Sequence, residues 1–444
     1  MKKNDNIRGI CSGYTREGLG VVKVDGFPFF VKGILEQEEA ELVVTMMKKT
    51  YGYAKVLNIR NPSKERVTPL CPVAKQCGGC QLQHMSYQEQ LRFKRQKVQD
   101  VIDRIAKIDV KVEPVLGMKE PWYYRNKCQI PVGLKKGNVV TGFYRIHSND
   151  IVDTDGCRIQ SERINEVLAY MKQELKTYGN ADVFRHLLIK HAFVTGEVML
   201  VWIVRKYPFD HMKEMAEKIC KALPYIKSVI VNINTRNDNV ILGDQEVTLY
   251  GASYITDSID ELSFHISSKS FYQVNPLQTK ILYDTALSFA SLTGCESVID
   301  LYCGVGTISM FLAQKAKKVI GIEIVPQAIK DAKENAYHNH IENIEFICSD
   351  AATYASKLSE QHMKPDVIVV DPPRKGLDAI TIDSMVRMQP DRIVYVSCDP
   401  ATMARDLGIL KEKEYQVKKI QPVDMFAQSN GVETVVLLSR NQIA

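Results

Sequence analysis

The sequence lacks a long hydrophobic run, a low-complexity tract and a leader-like start. Its most apolar stretch, Val198 to Val204, is too short to span a bilayer and is flanked by charged residues. Met1 to Asp5 carry two lysines but have no apolar core behind them, so we expect no signal peptide. Hydrophobic residues make up 45% and charged residues 25% of the 444, as in ordinary globular proteins. These absences argue against a membrane protein and a disordered chain, and they predict a cytoplasmic location.

The sequence also has little net charge and no sign of a disulfide framework. The formal net charge of +6 is mild for a nucleic-acid binder, so the distribution of charge matters more than its sum. The chain contains 11 cysteines, and in a reducing compartment any clustered cysteines need a metal or a catalytic explanation. From the length we expect two to four domains.

Residues from about Ile7 to Ile59 contain short apolar runs separated by turn signals, of which Asp25-Gly26 is the clearest. This pattern predicts a small OB-like β-barrel of about five strands in residues 1–60. Between the last two strands, Lys48 to Tyr53 alternates lysines with aromatic residues, which suits phosphates and stacked bases. A solvated hairpin explains these residues equally well.

A compact C-x5-C-x2-C run follows, formed by Cys71, Cys77 and Cys80. Three thiolates are one short of a tetrahedral shell, and the glycines in the run let the backbone fold around a metal. Cys157 is the best fourth candidate because it lies in a glycine-containing turn, whereas Cys128 lies in a strand-like run. Zinc and a [4Fe-4S] cluster both fit four cysteines, and the spacing does not separate them.

The residues after the cysteine run predict a helix. Ser86 and Glu89 form a capping box, with Ser86 as the N-cap and Glu89 returning the bond. The helix has a basic face, which is either simply solvated or a phosphate-contact surface. That face is formed by Arg92, Lys94, Arg95 and Lys97.

Strands and helices alternate between about Trp122 and Phe264 without a nucleotide-binding fingerprint. We therefore predict a separate central α/β lobe within residues 61–265. Lys269 to Pro276 is a polar, aromatic hinge before the next domain, and from it Gln273 and Asn275 could reach that domain's ligand.

We predict a C-terminal domain in residues 266–444, within which the pattern from about Leu277 becomes that of βαβ repeats. The strand Ser297–Leu301 leads into a turn with two glycines, Tyr302 to Thr307, and the next strand reaches Glu323 about twenty residues on. A carboxylate at that point can bind both hydroxyls of a ribose. NAD fits this much, but Ser309 stands where the dinucleotide fingerprint has its third glycine. S-adenosylmethionine fits better because it has no pyrophosphate.

The fourth strand of this region runs into Asp371-Pro372-Pro373-Arg374, at the position where a methyltransferase meets its acceptor. The prolines fix the backbone so that Asp371 faces the ligands, although the motif alone identifies only the class. The fifth strand delivers Cys398 into a turn made by Asp399 and Pro400. An isolated cysteine is more often a small apolar residue, and a cysteine nucleophile has no role in methylating an amine.

A cysteine nucleophile does solve a problem in methylating a pyrimidine carbon. C5 of uracil is a poor nucleophile, but thiolate addition at C6 gives C5 enolate character, and the adduct then needs a base to remove the C5 proton. Glu433, which opens the last buried strand, is the candidate base, and a solvated strand end is the alternative. An RNA cytosine-5 enzyme would usually carry a second cysteine beside the Asp371 motif, and none is present.

Together these residues resemble the RNA uridine-5 methyltransferase family, and within it the bacterial 23S ribosomal RNA branch with a TRAM domain. The resemblance covers nearly the whole chain. It rests on the four cysteines Cys71, Cys77, Cys80 and Cys157, on Tyr124–Lys127, Ser270–Asn275, Asp300–Gly304, Asp371–Arg374 and Ser397–Pro400.

The resemblance implies a fold, cofactors and site residues. The fold is a Rossmann-like methyltransferase domain in residues 266–444, an N-terminal TRAM barrel and a central α/β iron-sulfur lobe. The resemblance also implies a [4Fe-4S] cluster on Cys71, Cys77, Cys80 and Cys157. The implied contacts with S-adenosylmethionine come from Gln273, Tyr302, Glu323 and Asp371. Cys398 is the implied nucleophile and Glu433 the implied general base.

We therefore expect a monomer that methylates a uridine of 23S ribosomal RNA and contacts no membrane. Two alternatives are the same chemistry on transfer RNA and a non-catalytic RNA-binding assembly factor. The barrel and the cysteine cluster favour ribosomal RNA, since the transfer-RNA branch typically lacks both. Ala427, Ser429 and Gly431 depart from the Pro, Thr and His usual in the family, which raises a question about the rigidity of the loop before Glu433.

Overall fold

The computed structural model describes residues 1–441, so the last three residues of the predicted C-terminal domain lie outside the described residues. The N-terminal strands close into a small barrel in the order β1-β2-β3-β5-β4, as predicted. Asp25 and Gly26 both have positive φ, 51° and 80°, as a tight two-residue hairpin requires. The barrel strands are β1 Asn6–Tyr14, β2 Gly20–Val24, β3 Phe27–Lys32, β4 Glu39–Met47 and β5 Gly52–Asn61.

The predicted helix after the cysteine run is α1, Tyr87–Val101, and one π-helical turn, Ile102–Ala106, extends it. Ser86 Oγ accepts the Glu89 N–H at 3.2 Å, as the capping box requires. The predicted return bond is wrong, because the Glu89 carboxylate instead accepts from the Tyr14 hydroxyl of the barrel at 2.8 Å. Glu89 therefore joins the helix to the barrel.

The basic face predicted for α1 is mostly engaged inside the protein. Lys94 is completely buried and pairs with Asp424 at 2.5 Å. Lys97 donates to the Asn430 carbonyl at 2.6 Å, and Arg95 donates to a backbone carbonyl. The interpretation as a solvated face or a phosphate-contact surface is therefore wrong for Lys94 and Lys97, whose partners lie more than 300 residues away along the chain. For Arg92, which is exposed, it stays a prediction.

The middle of the chain forms a seven-stranded mixed sheet in the order β12-β11-β10-β9-β6-β7-β8. All seven residues of its inner strand Val198–Val204 are fully buried. One face of this strand packs on two helices and the other on the C-terminal part of the chain, which explains its unbroken apolar sequence. The elements are β6 Lys127–Lys135, β7 Asn138–Tyr144, β8 Ile151–Asp153, α2 Glu162–Tyr178, β9 Phe184–His191, β10 Val198–Val204, α3 Met212–Ala222, β11 Ile226–Ile233 and β12 Gln245–Gly251.

A hairpin formed by β13 Tyr254–Ile259 and β14 Leu262–Ser267 packs between the middle sheet and the C-terminal part. The predicted boundary after residue 265 falls inside β14. The apolar face of α1, with Val98 and Ile102, packs in the C-terminal core rather than in the central lobe. The three domain ranges remain predictions, and these two contacts show where they cut across packed elements.

The C-terminal part is a seven-stranded sheet in the order β17-β16-β15-β18-β19-β21-β20, in which β21 alone runs antiparallel to the other strands. This is the predicted α/β methyltransferase fold. The order reverses between β15 and β18, and α/β sheets place their ligands at such a switch point. The elements are α4 Pro276–Ala290, β15 Ser297–Leu301, α5 Thr307–Ala313, β16 Lys318–Glu323, α6 Pro326–His338, β17 Ile344–Cys348, α7 Ala351–Glu360, β18 Val367–Val370, α8 Ala379–Met388, β19 Arg392–Ser397, α9 Pro400–Glu412, β20 Tyr415–Val423 and β21 Glu433–Arg440.

Within residues 1–441, no helix has both the length and the apolar content needed to cross a bilayer.

Candidate active site

Four predicted site residues lie at one edge of the C-terminal sheet. Tyr302 and Asp371 each follow the last paired residue of neighbouring parallel strands, β15 and β18. Cys398 follows β19, whose last residue pairs with the second residue of β21, and Glu433 opens β21. Strand register alone therefore brings these four side chains to the switch point of the sheet.

The turn after β15 is built to let a ligand approach the backbone. Tyr302, Gly304 and Gly306 all have positive φ, 68°, 57° and 77°. A side chain on Gly306 would place its Cβ 2.5 Å from the Phe346 ring, so only glycine fits there. Glu323 at the end of β16 accepts the Gly304 N–H at 3.2 Å, which puts its carboxylate directly beside the turn.

Asp300 is a residue of this site to which the sequence analysis gave no role. Its side chain is buried, and its Oδ2 accepts from the Ser309 hydroxyl at 2.5 Å. Its Oδ1 is also buried but has no hydrogen-bond partner within residues 1–441. Burial raises the pKa of Asp300 to about 7. The sequence signal that could have identified Asp300 is its position as an acidic residue near the end of β15, just before the glycine turn.

Asp371 lies half-buried after β18. Burial raises the pKa of its carboxyl to about 7, so this group is close to half-protonated at neutral pH. The next residues of its motif include Arg374, whose guanidinium lowers the pKa of both Cys398 and Glu433. The sequence analysis quoted Arg374 in the motif but assigned it no role.

Cys398 is half-buried at the mouth of the site. Burial raises the pKa of its thiol to about 11, the charges of Glu433 and Asp371 add to this effect, and Arg374 opposes it. Next to it, Asp399 caps α9 by accepting the Ala401 N–H at 2.9 Å. The thiol is therefore held on a rigid strand-to-helix turn and is protonated at rest.

Glu433 is 4% exposed, although it opens a strand, so the alternative of a solvated strand end is wrong. Burial raises its pKa to about 8, Asp371 adds to the effect, and Arg374 opposes it. A carboxyl with this pKa exchanges a proton easily near neutral pH.

The hinge before α4 contributes one candidate side chain and one structural side chain. Gln273 is 9% exposed, and its backbone carbonyl accepts from the side-chain amide of Asn126 at 2.9 Å. Asn275 is fully buried, caps α4 by accepting the Gln278 N–H at 3.2 Å, and donates to the Met425 carbonyl at 3.1 Å. The expectation that Asn275 reaches a ligand is wrong, because its amide is used within the fold.

Cys71, Cys77, Cys80 and Cys157 line one cavity of about 340 Å³ in the central lobe, and Cys128 also lines it. Burial raises the pKa of the Cys80 thiol to about 12. Within residues 1–441, no three His, Cys, Asp or Glu side chains are arranged to hold a metal ion. The structure thus gathers the predicted ligands around a shared space, without the close packing of a single-ion site.

Comparison with known proteins identifies the family. The family model tRNA (uracil-5-)-methyltransferase matches residues 86–441. An uncharacterized RNA methyltransferase of Halalkalibacterium halodurans is 48% identical over 99% of this chain and 98% of its own length. Another, from Clostridium tetani, is 44% identical over 99% and 97%.

Among solved structures, the Pyrococcus abyssi tRNA (uracil-54, C5)-methyltransferase in complex with S-adenosyl-L-homocysteine has a TM-score of 0.78 and 26% identity. It covers 97% of this chain and 99% of its own. The chain belongs to the tRNA (uracil-5-)-methyltransferase family and is an S-adenosylmethionine-dependent RNA methyltransferase.

Proposed function

We propose that this enzyme methylates C5 of a uridine in 23S ribosomal RNA through a covalent adduct on Cys398, which Glu433 resolves as general base. One observation carries the proposal. The Cys398 thiol and the buried Glu433 carboxyl, both of raised pKa, lie at one end of the paired strands β19 and β21. This is the edge of the sheet at which the glycine turn after β15 also lies. Methylation of an amine needs no such pair.

In the proposed mechanism the Cys398 thiol gives its proton to solvent water and its sulfur bonds to C6 of the uracil. The C5–C6 π electrons move onto C5 and O4, which makes C5 nucleophilic. S-adenosylmethionine, when bound, would supply the methyl group that C5 accepts and would leave as S-adenosylhomocysteine. Glu433 then removes the C5 proton, the electrons of that C–H bond re-form the C5–C6 double bond, and the C6–S bond breaks to release the thiolate.

The target base has to reach the sheet edge before the thiol can attack it. Enzymes that act on a base take it out of its stack, and the extrusion costs a few kcal/mol. A loop uridine is extruded most easily because it is already partly unstacked. Arg374 would lower the pKa of the thiol in the closed site, because its charge opposes the effect of burial.

Gln273, Tyr302, Glu323 and Asp371 would hold S-adenosylmethionine. The surroundings fit that ligand: the turn has two glycines with positive φ, and Glu323 is fixed beside it by the Gly304 amide. The unpartnered Oδ1 of Asp300 offers a buried acceptor to a ligand that carries positive charge at a sulfonium and an ammonium group.

Cys71, Cys77, Cys80 and Cys157 would hold a [4Fe-4S] cluster with a structural role. The observation behind this proposal is that the four cysteines line one cavity of about 340 Å³ and so offer the all-thiolate donor set that such a cluster takes.

Transfer RNA is a second candidate substrate, and one observation favours it. The Pyrococcus abyssi enzyme, whose name specifies tRNA, matches 97% of this chain, so its match includes the barrel region. The barrel therefore does not by itself distinguish the two RNAs. A non-catalytic assembly factor is disfavoured, because the chain belongs to a family of RNA methyltransferases.

The test is to map 5-methyluridine by mass in ribosomal and transfer RNA from a strain that lacks the gene. We expect one or more 23S sites to lose the methyl group and to regain it when the gene is returned, but not when Cys398→Ala is supplied. Loss confined to transfer RNA would replace the substrate and keep the chemistry. Methylation restored in full by Cys398→Ala would overturn the mechanism.

A further inference from the structure

The residues that connect β20 to Glu433 make many of their hydrogen bonds with distant parts of the chain. We call residues 424–430 the base segment, because Glu433 follows it by three residues. Its Asp424 pairs with Lys94, and neither side chain is exposed. Lys94 also donates to the Phe426 carbonyl at 3.0 Å, so one ammonium group binds both a side chain and the backbone of the base segment.

Helix α1 adds further contacts to the same segment. The Gln90 amide donates to the Gln428 side chain at 3.0 Å, and the Gln428 N–H donates back to the Gln90 oxygen at 2.9 Å. The Tyr87 hydroxyl donates to Asp424 at 2.7 Å. Three side chains of α1, each about one turn from the next, therefore bind the base segment.

The residues around the cysteine run also bind the base segment. We call residues 71–82 the cysteine loop. The N–H groups of Gln81 and Leu82, which directly follow Cys80, both donate to the Gln428 carbonyl, at 3.1 and 3.0 Å. Ala427 packs in a small apolar cluster against which Cys80 and Cys157 lie.

Tyr124 contacts both the base segment and the apolar cluster beside Cys80 and Cys157. It is fully buried in that apolar cluster, and its hydroxyl donates to the Ala427 carbonyl at 2.9 Å. The small side chain of Ala427 is 0% exposed, so it fits beneath the Tyr124 ring without displacing the backbone of the segment.

We infer that α1 and the cysteine loop clamp the base segment and thereby position Glu433, so that the state of the four-cysteine site is transmitted to the base. Lys94 and Tyr124 are positioning residues of the reaction. The inference rests on the proposed function, because it assigns the clamp an effect on the step that Glu433 performs. Displacing a reacting group by about 1 Å can slow its step by about 100-fold.

Lys94→Met tests the clamp in a single turnover with RNA that carries 5-tritiated uridine. We expect the covalent adduct to form at the wild-type rate, while tritium release slows by about 10- to 100-fold, so that adduct accumulates. Arg104→Met is the matched control, since Arg104 is exposed just beyond α1 and its one ion pair among residues 1–441 is with Asp100. Equal slowing of both steps, or tritium release at the wild-type rate, would overturn the inference.

Tyr124→Phe keeps the test decisive if Lys94→Met fails to fold. This variant removes one hydroxyl at constant ring volume, and we expect tritium release to slow by about 3- to 10-fold with unchanged adduct formation. If Glu433→Gln accumulates no adduct, the proposed function itself fails. If it does while Lys94→Met and Tyr124→Phe do not, only the clamp is wrong.

Hydrogen exchange tests the link to the cysteine site without measuring activity. The protein is reconstituted with iron and sulfide and compared with the same protein stripped by a chelator. We expect stripping to speed amide exchange in residues 425–432, while strands β15 to β19 keep their protection. Unchanged exchange in residues 425–432, or an equal rise throughout the sheet, would overturn the link.

Discussion

Cys398 and Glu433 lie at the same end of the paired strands β19 and β21. Cys398 follows Ser397, Glu433 precedes Thr434, and Ser397 pairs with Thr434. The charge of Glu433 raises the pKa of the Cys398 thiol, which shows that the two groups share one electrostatic environment. The proposed mechanism uses these two groups in successive steps on one substrate ring.

Glu433→Gln should trap the reaction between its two halves. The amide cannot take the C5 proton, so we expect tritium release from 5-tritiated uridine to fall by about 100- to 10,000-fold while a protein–RNA adduct survives denaturation. Cys398→Ala should form no adduct and release no tritium. Methyl transfer at the wild-type rate in Cys398→Ala would contradict the mechanism.

Glu433 should also make the protein less stable at high pH. Its native pKa of about 8 lies above the ordinary 4.5, so the folded state keeps a proton that the unfolded chain loses between these values. This contribution to stability is present below about 4.5 and is lost as the pH rises towards about 8. At about pH 9 we expect the free energy of unfolding of Glu433→Gln, measured by urea denaturation, to exceed that of the wild type by on the order of 1–3 kcal/mol. Near pH 4 this difference should disappear. Glu412→Gln, which removes an exposed carboxylate, is the control.

Arg374 should set the pH range of the reaction. Its charge lowers the pKa of both Cys398 and Glu433, so Arg374→Met should move the rise of the pH–rate profile to higher pH. At neutral pH we expect a rate loss of about 3- to 30-fold that raising the pH partly recovers. Lys375→Met, an exposed neighbour, should leave the profile in place. A loss of equal size at every pH would assign Arg374 to RNA binding instead.

The four cysteines should behave as one set in metal analysis. Single Cys→Ser variants at 71, 77, 80 and 157 should each lose most of the bound iron and sulfide. Cys128→Ala should keep both, although Cys128 lines the same cavity, because it is buried in strand β6. If the Cys157 variant keeps its iron and the Cys128 variant loses it, the fourth ligand is Cys128 and not Cys157.

The sequence predicted those features that depend on neighbouring residues. The barrel strands, the Asp25-Gly26 hairpin and the strand–turn–helix around Gly304 follow from alternation, turn chemistry and backbone freedom. The order of strand ends also follows, because parallel strands deliver their carboxyl ends to one edge. For that reason Tyr302, Asp371 and Cys398 could be assigned to one site before the fold was known.

Tertiary structure alone decided which polar groups are used inside the protein. The basic pattern of α1 is the same whether Lys94 faces water or Asp424, and only the fold brings that carboxylate to it from 330 residues away. The capping role of Asn275 and the burial of Glu433 depend likewise on contacts between distant elements. Local physical chemistry thus determined the elements and the order of the strand ends. Desolvation and long-range pairing, which the sequence pattern does not contain, decided which polar groups are buried and which partners they bind.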